Sequence, residues 1–127
     1  MDMYRTQILE HCKDPHNKGT LKNPDITYKE KNPLCGDEIQ IDINVDDKGK
    51  VNNIKFSGHG CAISQATASL LTDEAKQLTI SDIRQLKKED ILDLLGIQVA
   101  AMRVKCAMLS LHVMKKGILQ YQAKKLR

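Results

Sequence analysis

Three cysteines define the chemistry open to this 127-residue chain. Cys35 lies in Asn32-Pro33-Leu34-Cys35-Gly36-Asp37, Cys61 in Gly58-His59-Gly60-Cys61, and Cys106 in Arg103-Val104-Lys105-Cys106. None belongs to a CxxC pair, yet thiols spread over loops and a helix can close into one soft-metal site. Thiolates suit zinc, Cu(I) and iron–sulfur clusters, and three of them with the Asp37 carboxylate supply the four donors of a tetrahedral centre. Gly36 permits a sharp turn after Cys35, while Gly58 and Gly60 let backbone approach a ligand beside Cys61. Cys106, among Val104, Ala107 and Leu109, reads by itself as a core residue; its case as a ligand rests on the other two. Arg103 and Lys105 favour its thiolate by lowering the pKa below the free value of ~8.5. Cys12, one helical turn from Ile8, is expected to be a buried or incidental thiol. His59 should point to solvent or bond locally. His112, six positions after Cys106, falls on another helix face and is expected at the surface.

The elements that must position these thiols follow from periodicity. Tyr4–Cys12 places Tyr4, Ile8 and Leu9 at helical spacing and ends before the turn cluster Asp14-Pro15-His16-Asn17-Lys18-Gly19. From Glu38, Ile39, Ile41, Ile43 and Val45 alternate with polar residues, which predicts a strand buried on one face. Asp46-Asp47-Lys48-Gly49 turns the chain and Val51–Phe56 returns antiparallel, with Val51 out of step as at a bulge. With Asp46 opposite Lys50, counting outward puts Glu38 near Gly58, Asp37 near His59 and Cys35 near Cys61, to within a slip of a residue or two. A third strand, Ile26–Lys31, should pair beside Ile39–Val45. Ser64 is the expected N-cap of a helix from Gln65 to Leu78, with Ala66, Leu70, Leu71, Ala75 and Leu78 available for a core face. Cys61 then precedes a helix N-terminus, which favours a thiolate. Further helix is expected over Ile80–Leu95, broken near Lys87-Lys88 and stopped by Gly96, then from about Met102 to Gln120 with Val104, Met108, Leu111 and Met114 apolar. Gly117 should weaken its last turns. Strands followed by helices imply an α+β fold, a small antiparallel sheet of about three strands packed against helices, in one domain spanning 1–127.

Composition narrows the function. The chain has no Trp and a single Phe, so the core is aliphatic and stacking platforms for single-stranded nucleic acid are missing. Twenty Lys and Arg against sixteen Asp and Glu give a formal charge of +4. The surplus gathers at Lys115, Lys116, Lys124, Lys125 and Arg127, which reads as a solvated helix face or, more sharply, an electrostatic partner surface. No apolar run reaches the ~18 residues of a membrane span and the N-terminus lacks a signal-peptide pattern, so a cytoplasmic protein with neither nucleic acid nor membrane as partner is expected. In that compartment thiols stay reduced, and four cysteines read as metal-binding or reactive.

Together, Tyr4, Ile8, His11, Pro15, Asn17 and Gly19, the Asn32–Asp37 and Phe56–Ser64 segments, and Arg103-Val104-Lys105-Cys106-Ala107 resemble the IscU, SufU and NifU N-terminal family of iron–sulfur cluster assembly proteins. The resemblance covers nearly the whole chain. It implies a solvent-edge site where Cys35, Cys61 and Cys106 hold a nascent [2Fe-2S] cluster or zinc, with Asp37 as the fourth zinc ligand that keeps the cluster exchangeable. A carboxylate is a weaker partner for iron than a thiolate, so such a cluster can be handed on. Lys105 stands where IscU-type members carry a His, as in the SufU type. The Leu-Pro-Pro-Val-Lys segment that IscU members present to an Hsp70-type chaperone is replaced by Val99-Ala100-Ala101-Met102-Arg103, which removes the motif for that partner. The run from Cys61 to Cys106 is too short for the extra segment usual in SufU members.

The function expected is a scaffold, more than a catalyst, that accepts sulfur from a cysteine desulfurase, builds a labile [2Fe-2S] cluster on the three cysteines and passes it to apo-proteins. The alternative is a zinc-dependent persulfide acceptor, a sulfurtransferase of the SufU kind, with Cys35 or Cys106 taking the sulfur. A small protein with purely structural zinc is a third reading, though a turn-borne site containing Asp is a poor choice for inert closure.

Overall fold

The computed structural model describes residues 3–32 and 36–126, so Cys35 lies outside the described residues. The chain runs α1 (Met3–Lys13), β1 (Ile26–Asn32), β2 (Asp37–Val45), β3 (Val51–His59), α2 (Ala62–Ala75), α3 (Ile80–Gln85), α4 (Lys88–Leu95) and α5 (Ala101–Lys125). The three strands form an antiparallel sheet in the order β1-β2-β3. This is the α+β arrangement expected from strands followed by helices.

Alternation on β2 buries Ile39, Ile41 and Ile43 completely, and β3 adds Ile54 and Phe56. Helix α5 lies along β1 and β2, and α2 along β3 and α5, so Leu71, Leu111, Met114 and Ile118 close an aliphatic core. Away from that core, Asp42 is buried beside its alternating neighbours, where Thr27 Oγ1, Gln40 Nε2 and the Leu21 N–H all donate to its carboxylate. Buried polar groups persist only when so satisfied.

The hairpin turn is the one expected: Asp46 N–H donates to the Lys50 carbonyl at 3.0 Å, and Asp46 Oδ1 accepts from the N–H groups of Lys48 and Lys50. Its carboxyl is held below the ordinary carboxylate range chiefly by those two backbone bonds. Val45 pairs with Val51 while Asn44 pairs with Asn53, so Asn52 is the extra residue of a bulge. That insertion corrects the counted register by one: Glu38 pairs with His59, not Gly58.

Other boundaries also move. Helix α1 buries Ile8 and His11, whereas Tyr4 and Leu9 are exposed, because α1 touches the molecule along one narrow stripe. The break near Lys87 is real: α3 starts with a Thr79–Asp82 capping box, and α4 starts where the Lys87 N–H donates to Asp90 Oδ2. Gly96 ends α4 at φ 70°. Helix α5 continues five residues beyond the expected Gln120, to Lys125. Gly117 does not weaken it, because it sits where α5 crosses β1: a Cβ there would stand 2.9 Å from Ile26 Cγ2 and 3.2 Å from Tyr28 Cβ. The missing side chain lets the helix seat against the strand, and packing outweighs propensity. Gly117→Leu should therefore lower stability by about 1–3 kcal/mol despite the better helix former, as over-packed cores do; an unchanged urea midpoint would contradict the close crossing.

Candidate functional site

Asp37 opens β2 at the end of the hairpin remote from its turn, and Cys61 follows β3 at the same end. The one-residue bulge sets Asp37 opposite Gly60 in the continued register, and the two segments are joined there. Cys61 N–H donates to Asp37 Oδ1 at 3.0 Å, and Cys61 Sγ lies 3.8 Å from Asp37 Oδ2. Asp37 is only 2% exposed. Its carboxylate lies at the N-terminus of α2, where unpaired N–H groups and the helix dipole favour negative charge.

Cys61 is itself the N-cap of α2, in place of the Ser64 expected. Its backbone is extended (φ −73°, ψ 170°) and its Sγ accepts from Ser64 N–H at 3.5 Å. Ser64, inside the first turn, returns its hydroxyl to the Cys61 carbonyl at 3.0 Å. A thiol can cap because the extended backbone already aims its side chain at the open N–H groups. The helix thus begins three residues before the expected Gln65, at Ala62.

The third arm comes from α5. Cys106, buried in its second turn, brings Sγ to the same place: one ligand atom from each of Asp37, Cys61 and Cys106 lies within 4.8 Å of the others. Arg103, one turn earlier and exposed, puts its guanidinium against the sulfurs; Cys61 first and then Cys106 raise its pKa above the ordinary arginine range. The sequence placed Arg103 beside Cys106 alone. Its reach to Cys61 crosses from α5 to α2 and leaves no trace in spacing.

Zinc bonds to sulfur of ~2.3 Å imply a tetrahedral edge of about 3.8 Å, so the donors fit zinc after a small contraction. Asp37, Cys61 and Cys106 are the described residues that could hold the ion. His59 does not join them: its side chain is 71% exposed and its Nε2 lies 3.6 Å from Glu38 Oε2. His112, exposed as expected, pairs through Nε2 with Glu30 at 2.6 Å. Cys12 is half-buried and less isolated than its neighbours in sequence suggest. Its Sγ donates to the Ala62 carbonyl at 3.1 Å, and its pKa is pushed up by burial and then by the charge of Cys61. Among the basic residues of α5, Lys116 pairs with Glu30 at 3.3 Å and Lys115 donates to the Leu86 carbonyl, so this part of the surplus charge is engaged within the molecule.

Two glycines make the close approach possible. Gly58 has φ 121°, and any Cβ on it would overlap the Glu38 carbonyl oxygen across the ladder; a Cβ on Gly60 would crowd Ser64 Oγ and stand 2.8 Å from Asp37 Oδ1. Gly58→Ala is expected to cost about 1–3 kcal/mol, as sparsely allowed backbone does for non-glycine residues, and to fray the Glu38–His59 end of the hairpin. Urea unfolding checks the first and amide exchange at the end of β3 the second; exchange unchanged from the wild type would refute the close approach.

A family model described as the NifU-like N-terminal domain matches residues 3–127. The chain is 37% identical to the zinc-dependent sulfurtransferase SufU of Bacillus subtilis, over 91% of this chain and 89% of that protein. It is 30% identical to the iron–sulfur cluster assembly scaffold protein IscU of Haemophilus influenzae, over 95% and 97% of the two chains. The crystal structure of a nitrogen-fixing NifU-like protein (N-terminal) from Brucella abortus shares the fold, with a TM-score of 0.79 at 20% identity over 96% of both chains. With a matching model across nearly its whole length and the three cysteine motifs in order, the chain belongs to the NifU-like N-terminal domain family.

Proposed function

We propose that the protein is an iron–sulfur cluster assembly scaffold that receives sulfane sulfur from a cysteine desulfurase, combines it with iron on Cys35, Cys61 and Cys106 once an external electron donor has reduced it to sulfide, and passes a [2Fe-2S] cluster to apo-proteins in the cytoplasm. The observation that carries this reading is the meeting of Asp37, Cys61 and Cys106 from a strand, a helix cap and a second helix. Relatives named as scaffolds, such as the Haemophilus IscU, support it. In this reading Cys35, two residues before Asp37, supplies the third thiolate. The chain's own residues orient and neutralise: the α2 N-terminus and Arg103 offset the negative charge of the thiolates and carboxylate, and Asp37 positions the backbone of Cys61. Cluster building here is assembly on a binding site, and recipients are selected by contact with the edge where Cys61 is half-exposed.

A second reading is favoured by the similarity to the zinc-dependent sulfurtransferase of Bacillus subtilis. Zinc would then order Asp37 and the cysteines, and Cys35 or Cys106 would take persulfide sulfur, with Arg103 steadying a thiolate for attack. Anaerobic reconstitution with iron and sulfide of the protein as isolated, without prior zinc removal, separates the two. A scaffold develops the visible bands of a [2Fe-2S] centre, whereas a zinc-dependent acceptor stays colourless and instead yields a trapped persulfide after incubation with desulfurase and cysteine. Both require bound metal to raise the melting temperature, by mass action on the folded state. Chelators that leave the melting temperature unmoved, together with no stoichiometric zinc or iron, would remove both.

Asp37 makes the sharper test. Asp37→Ala is expected to give a reconstituted cluster that persists longer and transfers more slowly to an apo-ferredoxin, read from the decay of visible absorption. Zinc affinity should meanwhile fall by at least about 10–100-fold, because the variant loses a donor as well as the hydrogen bond that positions Cys61. A cluster that decays faster than in the wild type would make Asp37 a stabilising ligand and place lability in solvent exposure.

A further inference from the structure

Helix α1 and the turn behind it pack on α2 through a second polar cluster that uses none of the thiols. His11, buried, has Nδ1 2.6 Å from Ser69 Oγ, and the same hydroxyl accepts the His16 backbone N–H at 2.7 Å. His16 Nδ1 lies 2.5 Å from Asp73 Oδ2, and the two imidazole rings stand 4.4 Å apart at 45°. One ligand atom from each of His11, His16 and Asp73 lies within 4.8 Å of the others. We propose that His11, His16 and Asp73 form a second metal site, for a borderline divalent transition ion such as zinc, which clamps α1 to α2 independently of the cysteine centre.

The donor set selects the ion. Two imidazoles and one carboxylate are the three-ligand sets that zinc and its neighbours accept with water completing the shell. Calcium wants six or more oxygens, and Cu(I) wants sulfur.

Neighbouring groups already orient each donor. The Ser69 hydroxyl fixes the His11 ring through Nδ1. Asn17 Nδ2 donates to Asp73 Oδ1 at 2.8 Å and to Thr72 Oγ1 at 2.9 Å, which leaves Asp73 Oδ2 facing His16. Such outer hydrogen bonds are the usual support of metal ligands.

Charge and access agree with a cation. Burial, then the nearby His16, hold His11 below its ordinary pKa. Burial alone would push the Asp73 carboxyl up, but the His16 and Asn17 hydrogen bonds outweigh it and hold it down. Glu10 adds negative charge near His11, and among the described residues Lys76, with Nζ 3.9 Å from Asp73 Oδ1, is the lysine paired with this carboxylate. His11 forms the floor, while the His16 and Asp73 side chains are 54% and 38% exposed, so the cluster is open to an ion from solvent. Asp73 is twelve residues beyond Cys61 on α2, about 18 Å along the axis at ~1.5 Å per residue. The two centres are therefore chemically and spatially distinct.

The test titrates zinc-free, full-length protein with Zn2+ and, in parallel, with Co2+, whose absorption distinguishes thiolate from nitrogen and oxygen ligands. The wild type should bind two equivalents. His16→Gln and Asp73→Asn, both at partly exposed positions, should weaken the second equivalent by about 10–100-fold or more while the thiolate-to-cobalt band persists. Cys61→Ser with Cys106→Ser should leave one equivalent whose cobalt spectrum lacks that band, and adding His16→Gln should abolish it. A single equivalent in the wild type that His16→Gln does not alter would reduce the cluster to a hydrogen-bonded clamp and overturn the proposal. That comparison stands even if the double cysteine variant fails to fold. Loss of the thiolate band in the wild type would refute the cysteine centre alone, so the failure of either site is read separately.

Discussion

The bond on which the rest of this structure depends is the one from the Cys61 backbone N–H to the Asp37 carboxylate. A carboxylate exposed by only 2% needs compensation, since an unpaired buried charge costs several kcal/mol. Here the compensation is the first turn of α2, whose open N–H groups and dipole favour an anion. Satisfying Asp37 therefore requires the open end of the hairpin to meet the start of a helix. Gly60 carries no Cβ because the Ser64 hydroxyl and the carboxylate occupy that space. Once Asp37 and Cys61 are joined, α5 need only lie across β1 and β2 with Gly117 at the crossing for Cys106 and Arg103 to arrive beside them.

Much of this was legible because it is local. The alternation of Ile39, Ile41 and Ile43 fixes which face of β2 is buried, and Asp46–Gly49 fixes the turn, so the sequence alone brings Asp37 and Cys61 to one end. The bulge was signalled by Val51 falling out of step. Which residue is extra was not, because any of Val51, Asn52 and Asn53 loops out without exposing Ile54 or Phe56. That ambiguity is worth one residue of register, enough to exchange Gly58 for His59 opposite Glu38. The cap of α2 was misplaced for a related reason. Serine is the better cap by propensity, but the Cys61 backbone is already held extended by its bond to Asp37, and this tertiary contact fixes where the helix begins.

What the sequence did not disclose is cross-element. Periodicity shows that α1 has an apolar stripe but not how wide its contact is, and Tyr4 and Leu9 stay outside it. It cannot show that His11 and His16, on either side of a turn, meet a serine and an aspartate one turn apart on α2. Nor can it show that Arg103 spans from α5 to Cys61. Each of these depends on which helix faces which, and that is settled by the packing of Ile8, Leu71 and Leu111, whose side chains say nothing of the polar groups carried alongside.

In the proposed scaffold, the geometry of Asp37 would let one carboxylate serve both holding and release. Its Oδ1 is committed to Cys61 N–H, so only Oδ2, 3.8 Å from the sulfur, is turned toward the centre. A ligand restricted to one oxygen binds a cation less strongly than one free to chelate, and a hard oxygen suits iron among thiolates less well than sulfur. When Oδ2 lets go, the buried charge is not stranded, because the bond through Oδ1 and the α2 N-terminus remain. Release of a bound ion or cluster would therefore break a weak contact without dismantling the junction of hairpin and helix.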